Sequence, residues 1–204
     1  MFDSGVFVKD LVAELNAEAD VALDIPNSAY VDWLNSLQQT LYTEIIKEQK
    51  KTVLTDLSSS PISIDTIGDK TVENTPRFED IYAVYADGVQ LMKSTLTSGV
   101  VFPNTYYKDN NNIGYNTDKI PSEMTIVYIV KPLLVTMTSH GNINESCKVM
   151  LPIEFIELAK SKLRGEAYKL VNEDGLSAKW LNDYNVLLET FKVWVTDKSP
   201  NFGI

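Results

Sequence analysis

The chain has 204 residues, 44% of them hydrophobic and 23% charged, a composition typical of one soluble globular domain. Its 28 acidic and 18 basic residues give a formal net charge of -10, and such a surface repels phosphate, which disfavours a basic nucleic-acid binder. One His and one Cys exclude a Cys/His zinc site, a disulfide framework and any catalytic scheme that needs two histidines.

Two amphipathic helices are predicted before residue 51. Apolar residues recur at helical spacing over residues 4–17, and a second, wider apolar stripe runs through residues 27–50. Asn27 and Ser28 offer capping oxygens for the second helix. The basic cluster at residues 47–51 suits the negative end of its dipole.

Most of the negative charge is predicted to lie on these two helices. Residues 1–50 hold nine acids and three bases, a net of -6, whereas residues 51–150 and 151–204 carry -3 and -1. The acidity either maintains solubility or faces a negatively charged neighbour.

A β-rich insertion is predicted over residues 51–150, where Val, Ile, Thr, Tyr, Asn and Gly replace helix-forming runs. Short strands are expected at residues 52–54 and 62–64. Asp87-Gly88 between two β-prone runs predicts a two-residue hairpin turn, because both central positions need positive φ. Residues 107–116 are expected to form an exposed loop or a hairpin tip.

The second half of the insertion is predicted to be extended. Residues 124–131 and 133–137 are β-prone and flank Pro132, which an edge strand or a bend tolerates. A turn at residues 140–142 leads to a last short strand that ends near Met150.

Two further helices are predicted at residues 152–171 and 175–196, followed by an extended tail at 197–204. Pro152 suits a first helical position. The connection at 172–175 is short enough to require an antiparallel helical hairpin.

The predicted fold class is α+β, with one domain over residues 1–204. In this prediction the N-terminal and C-terminal helix pairs pack into a bundle, and the hairpin-containing β-rich insertion forms a lobe between them.

Targeting signals are not evident in the sequence. The opening MFDSGVFVKD has neither a basic segment nor an uninterrupted apolar segment, and so predicts no secretory signal. The apolar stretch at 124–137 is broken by Lys131 and Pro132 and is shorter than the ~20 residues of a membrane span. The single Cys also fits a reducing compartment. We therefore expect synthesis in the cytoplasm and no membrane partner.

Few residues are candidates for chemistry. His140 lies among turn-forming residues and is interpreted as an exposed turn histidine. Cys147 lies in a β-prone run and is interpreted as a buried structural thiol. No G-x-G-x-x-G or G-x-x-x-x-G-K-[ST] motif predicts a nucleotide site.

Charged residues could form a nuclease-like group, namely Glu79, Asp80, Asp87 and Lys93. Other charged residues are interpreted as solvated helix faces: the pairs Glu14/Glu18 and Glu154/Glu157, and the bases Lys160, Lys162, Arg164 and Lys169. We therefore predict no enzyme activity and assign no catalytic, cofactor-binding or metal-binding residue.

Aromatic residues indicate contact surfaces. Trp180, Tyr184, Phe191 and Trp194 follow a helical stripe and are expected in a core. Many further Tyr and Trp residues lie elsewhere, several in the β-rich region. Because Tyr and Trp are enriched in protein–protein interfaces, these rings point to binding.

Several segments resemble head–tail connector (adaptor) proteins of tailed bacteriophages. The residues that carry the likeness are YIVKPL at 128–133, VMLPIEF at 149–155, Ala167-Tyr168, Asn172-Glu173-Asp174, Ala178, Trp180, Tyr184, Phe191, Trp33-Leu34-Asn35 and Leu41. The order of elements is similar over nearly the whole chain, and the residue-level match covers about 130–195 and 27–46.

The resemblance implies a virion structural protein of the neck. Such adaptors form a homo-oligomeric ring, dodecameric by this resemblance, between the portal protein and the next neck or tail protein. DNA passes through the ring without specific binding, and acids of residues 1–50 could line the channel. A ring requires heterologous contacts that close by rotation.

Three other functions stay open. The chain could be another portal-proximal part, such as a stopper or tail-completion protein. It could be a small metal-dependent nuclease that uses the group containing Lys93, or an isolated regulatory module that binds a partner protein.

Overall fold

The computed structural model has an α+β fold with four α-helices and a seven-stranded mixed sheet, and it describes residues 3–19, 24–55, 57, 60–68, 77–95 and 102–198. The backbone contacts divide the chain into two units. Of the described residues, those up to Ile46 and those from Pro132 to Lys198 form the helical unit, and those within Lys47–Lys131 form the sheet unit. One domain over residues 1–204 stays a prediction.

The helices all belong to the helical unit. They are α1 (Val8–Ala17), α2 (Asn27–Thr40), α3 (Ile156–Leu170) and α4 (Asp174–Lys198). A π-helical segment, Leu41–Ile46, continues α2, and a 3-10 turn, Ile153–Phe155, precedes α3. No helix of the described ranges is both long and apolar enough to cross a membrane.

The strands all belong to the sheet unit. They are β1 (Gln49–Leu54), β2 (Ile62–Ser63), β3 (Ile81–Ala86), β4 (Val89–Lys93), β5 (Thr105–Asp109), β6 (Asn112–Asn116) and β7 (Met124–Ile129). Their order in the sheet is β1-β7-β3-β4-β5-β6-β2, and only the β4–β5 pair among these neighbours is parallel. The described part of the sheet unit also contains the 3-10 turns Ile64–Thr66 and Phe78–Asp80.

The predicted hairpins are confirmed where the turn residues are specific. Asp87 and Gly88 join β3 to β4 with φ angles of 48° and 82°, as a two-residue turn of this type requires. Residues 107–116 form a hairpin rather than a loop. Its turn lies at Asn110-Asn111 between β5 and β6, and Asn110 has a φ of 52°.

The first predicted helix begins later than residue 4. The backbone of residues 4–8 runs antiparallel to the segment around Val149: the Val149 N–H donates to the Val6 carbonyl at 2.9 Å, and the Val8 N–H donates to the Cys147 carbonyl at 3.0 Å. Because these backbone groups already have partners, the helix begins at Val8.

The second predicted helix ends before residue 50. Lys47 has a φ of 48°, which ends helical geometry, and Gln49 begins β1. All six residues of β1 pair with β7, so Lys50 and Lys51 lie in a strand and not at a helix terminus. The apolar stripe itself ends at Ile46, and pairing with a distant strand determines the structure of the residues from Gln49 onward.

The predicted strands at 133–137 and before Met150 are wrong, because this extended segment lies in the helical unit and has only isolated bridges there, such as Met137 to Ile143. Two amides of α2 hold it instead. The Asn35 side chain donates to the Val135 carbonyl at 3.0 Å and accepts from its N–H at 2.8 Å. The buried Gln38 accepts from the Met150 N–H at 2.6 Å.

The C-terminal helices are confirmed with small shifts. The helix expected from residue 152 begins as the 3-10 turn and becomes α-helical at Ile156. The tail expected at 197–204 begins inside α4, which ends at Lys198, and residues 199–204 lie outside the described residues. The helices pack closely at Gly165, whose carbonyl accepts from the Ser177 hydroxyl at 2.9 Å.

Candidate interaction surfaces

The acids of the nuclease hypothesis have structural contacts within the sheet unit. The buried Asp80 carboxylate accepts from the Arg77 backbone N–H at 2.8 Å and pairs with Lys131 at 2.7 Å. Glu79 pairs with Lys108 at 2.6 Å, and this hydrogen bond holds the pKa of Glu79 below its ordinary value. The Asp80 carboxylate thus fixes local structure, whereas Glu79 makes an exposed ion pair.

The other two members of that hypothesis also have contacts of their own. The Asp87 carboxylate accepts from the Ser122 hydroxyl at 2.6 Å, the Ser122 N–H at 2.8 Å and the Glu123 N–H at 3.1 Å, and the pKa of Asp87 is lowered chiefly by the Ser122 bond. Lys93 lies over the Phe78 ring, 4.9 Å from its centre. In the described part of the chain, no three His, Cys, Asp or Glu side chains are grouped to hold a metal ion.

His140 is exposed in a tight turn of the helical unit. The turn is closed by the Thr138 N–H, which donates to the Asn142 carbonyl at 2.7 Å. His140 borders an open cleft of about 540 Å³ that also contains the Lys9–Glu145 ion pair, 3.5 Å long. An exposed ion pair of this kind contributes little to the free energy of folding, so it does not hold the charged groups of the cleft in a fixed arrangement.

Cys147 is half-buried in the extended segment that follows the turn. Its sulfur accepts from the Thr136 N–H at 3.4 Å. The thiol therefore helps to hold neighbouring backbone.

Ion pairs join acidic α1 to basic α3. Lys160 bridges Glu14 and Glu157, and Arg164 pairs with Glu18. Burial alone would lower the pKa of Lys160, but its two carboxylate partners outweigh burial and raise it. The side chains of Lys160 and Arg164 are only 12% and 11% exposed, so the prediction that they form a solvated face is wrong.

Arg164 also connects α3 to α4. Its guanidinium lies over the Trp180 ring, 4.5 Å from the centre. Lys162 is held similarly, pairing with Glu166 at 2.7 Å and lying 5.3 Å from the centre of the Tyr184 ring. The bases of α3 thus cover aromatic rings of α4.

The aromatic stripe of α4 is only partly in the core. Phe191 is fully buried and packs against Phe155 at 4.9 Å, whereas Trp180 and Tyr184 are half-buried. Across all 25 residues of α4, the buried ones are Ser177, Phe191 and Val195.

The opposite side of α4 carries apolar residues in solvent. Val186 and Val193 are 61% and 62% exposed, and Glu189 is an exposed acid between them. Since residues i, i+3 and i+7 share one helix face, these three side chains form a surface that we name the α4 ridge. Two valines seven residues apart, outside the main stripe, are the sequence signal that could have revealed it.

The sheet unit carries a complementary kind of surface, a groove of about 430 Å³ that we name the sheet groove. Its lining residues are Tyr82, Gln90, Leu91, Met92, Lys93 and Tyr106. Met92 and Tyr82 are 68% and 60% exposed, and Tyr106 is buried, which raises its pKa. The sequence indicated aromatic surfaces here but not that β3, β4 and β5 bring these side chains together.

No family model matches this chain, and no curated protein matches it.

Proposed function

We propose that this chain is a subunit of the head–tail connector of a tailed bacteriophage. It would form a ring between the portal protein and the next neck or tail protein, with DNA passing through. In this proposal the four helices act as the bundle and the sheet unit acts as the insertion lobe. The likeness of residues 130–195 and 27–46 to adaptor proteins supports the assignment.

The observation that carries the proposal is that most of α4 is not covered by other parts of the described chain. A helix of 25 residues with three buried positions leaves a long face available to another chain. Exposed apolar side chains on this helix and in the sheet groove are typical of a protein that works by contact with other proteins. Such surfaces suit a part that must join several neighbours.

Exposed acids of α2 and of the π-helical segment that continues it give the channel a candidate lining. Asp32 and Glu44 are exposed, and residues 10–46 contain no Lys or Arg. By contrast, Asp3, Glu14 and Glu18 already pair with bases of the helical unit. A face with acids and no bases repels passing DNA and so keeps it from binding.

Electron microscopy tests the proposal. We expect the purified chain to decorate the portal protein of the virus that encodes it, as a ring on the portal's outer face. A ring on a different neck component would favour the stopper or tail-completion alternative. Particles that bind neither partner would contradict the proposal, and Asp32 and Glu44 on the outer rim would contradict the channel assignment.

A further inference from the structure

We propose that the α4 ridge of one copy of this chain docks in the sheet groove of the next copy, which makes a head-to-tail contact. This inference rests on the proposed function and names the side-to-side contact of the ring. The ridge consists of Val186, Glu189 and Val193, and the groove is the one bordered by Met92 and Lys93.

The apolar parts of the two surfaces match. Val186 and Val193 are separated by seven residues, about 10 Å along the helix axis. Both are more than half exposed, as are Met92 and Tyr82 in the groove. Contact between the two pairs would remove four exposed apolar side chains from water, which is the main driving force for association.

The charges on the two surfaces are opposite and similarly placed. Glu189 lies between the two valines, and Lys93 lies next to Met92. In the free chain Glu189 pairs with Lys192 at 2.6 Å, but both side chains are largely exposed, so this pair exchanges readily. The Lys93 ammonium lies over the Phe78 ring, and because a ring face does not use up its three N–H donors, it can also donate to a carboxylate.

The difference between the two surfaces decides the kind of assembly. Because ridge and groove are different patches, each copy uses its ridge on one neighbour and its groove on another. Such heterologous contacts produce a closed ring when the rotation closes. A second copy is therefore the occupant to which the geometry points.

Cross-linking between separate variants tests this contact without requiring a stable ring. In a Cys147→Ser background, chains carrying Met92→Cys are mixed with chains carrying Val186→Cys or Val193→Cys and treated with a short bis-maleimide. Mixed dimers are expected in severalfold excess over a matched mixture in which the second chain carries Ser36→Cys, an exposed position on α2. Equal yields would overturn the proposal.

Charge reversal in the same assay tests the pairing of Lys93 with Glu189. Lys93→Glu should lower the mixed-dimer yield about fivefold, and Glu189→Lys on the other chain should restore it, because the two ends of the pair are exchanged. Lys119→Glu, an exposed change outside the groove, should leave the yield unaltered. Loss without restoration would contradict the pairing.

Portal decoration by the unaltered chain separates the two proposals. If mixed dimers form but the chain does not decorate the portal, the self-contact is supported and the connector function is contradicted. Decoration without mixed dimers would retain the function and overturn the contact proposed here.

Discussion

At the residue scale, the side chains of α2 hold a long extended segment that makes only isolated bridges and belongs to no strand of the sheet. Asn35 meets both backbone groups of Val135, as a neighbouring strand would, and Gln38 meets the N–H of Met150. Buried backbone groups require partners, and here two amides provide them from a helix. This arrangement explains why the segment is extended yet outside the sheet.

Removing the Asn35 amide should therefore destabilise the helical unit. Asn35→Ala leaves the N–H and carbonyl of Val135 without these bonds, and the expected loss is about 1–3 kcal/mol of unfolding free energy. Urea unfolding followed by circular dichroism measures it. Ser36→Ala, the exposed neighbour on the same helix, should change stability by less than ~0.5 kcal/mol. Equal effects of the two changes would refute the role assigned to Asn35.

At the element scale, α3 and α4 approach closely at one glycine. A Cβ atom added at Gly165 would lie 2.6 Å from Leu181 Cδ2, 2.7 Å from its Cγ and 3.3 Å from its backbone N. The absence of a side chain at Gly165 thus sets the distance between the helices. The short connection after α3 then holds them as an antiparallel pair.

Gly165→Ala should destabilise the protein by about 1–3 kcal/mol, because the helices must separate to admit a methyl group. The gain in helix propensity, about 1 kcal/mol, offsets part of this cost. Gly175→Ala is the matched control, since Gly175 lies in α4 with no atom near the added Cβ. It should be neutral or stabilising by up to about 1 kcal/mol in thermal unfolding. A stabilising Gly165→Ala would contradict close packing.

The elements that the sequence predicts well are those with local signals. Asp87-Gly88 encodes its turn, and apolar periodicity encodes α3 and α4. The predictions fail where contacts with residues far away in the sequence determine the local structure. Residues 49 and 50 are predicted to end a helix but pair with β7, and residues 133–137 are β-prone but are held by Asn35.

The interaction surfaces are less predictable for a related reason. Val186 and Val193 can be found from their spacing on α4. The sheet groove depends on β3, β4 and β5 lying side by side, and the parallel pairing of β4 with β5 is specified by no local hairpin motif. Short sequence motifs do not specify which distant strands lie side by side.

At the scale of the whole molecule, hydrogen-bonded carboxylates and buried phenols define the pH range of stability. The pKa values of Asp3, Glu79 and Asp87 are lowered, chiefly by hydrogen bonds from Lys148, Lys108 and Ser122 respectively. These ionised carboxylates stabilise the folded state fully above their ordinary pKa values of 3.8 to 4.5. That stabilisation is lost as the pH falls through their lowered pKa values in the folded state. Burial raises the pKa of Tyr30 and Tyr106, so their contribution is lost as pH rises above about 10.

Stability should therefore be nearly constant at neutral pH and fall on acidification below about pH 4.5. Asp87→Asn keeps an acceptor oxygen and suits the turn, but it does not titrate. This variant should lose less stability than the unaltered chain between about pH 6 and pH 3, measured by urea midpoints. Asp118→Asn, at an exposed site in the same unit, should follow the unaltered chain. A steeper loss for Asp87→Asn would show that its lowered pKa is not stabilising.

The antiparallel pairing of residues 4–8 with the segment near Val149 also affects how the chain folds during its synthesis. The Ser4 hydroxyl donates to the Val149 carbonyl across 145 positions of sequence. At ~5–20 residues per second, the partners of α1 are synthesised on the order of ten seconds after α1 itself. The hairpins of the sheet unit need only near neighbours and can form during that interval. The apolar face of α1 therefore lacks its contacts with α3 until that helix has been synthesised.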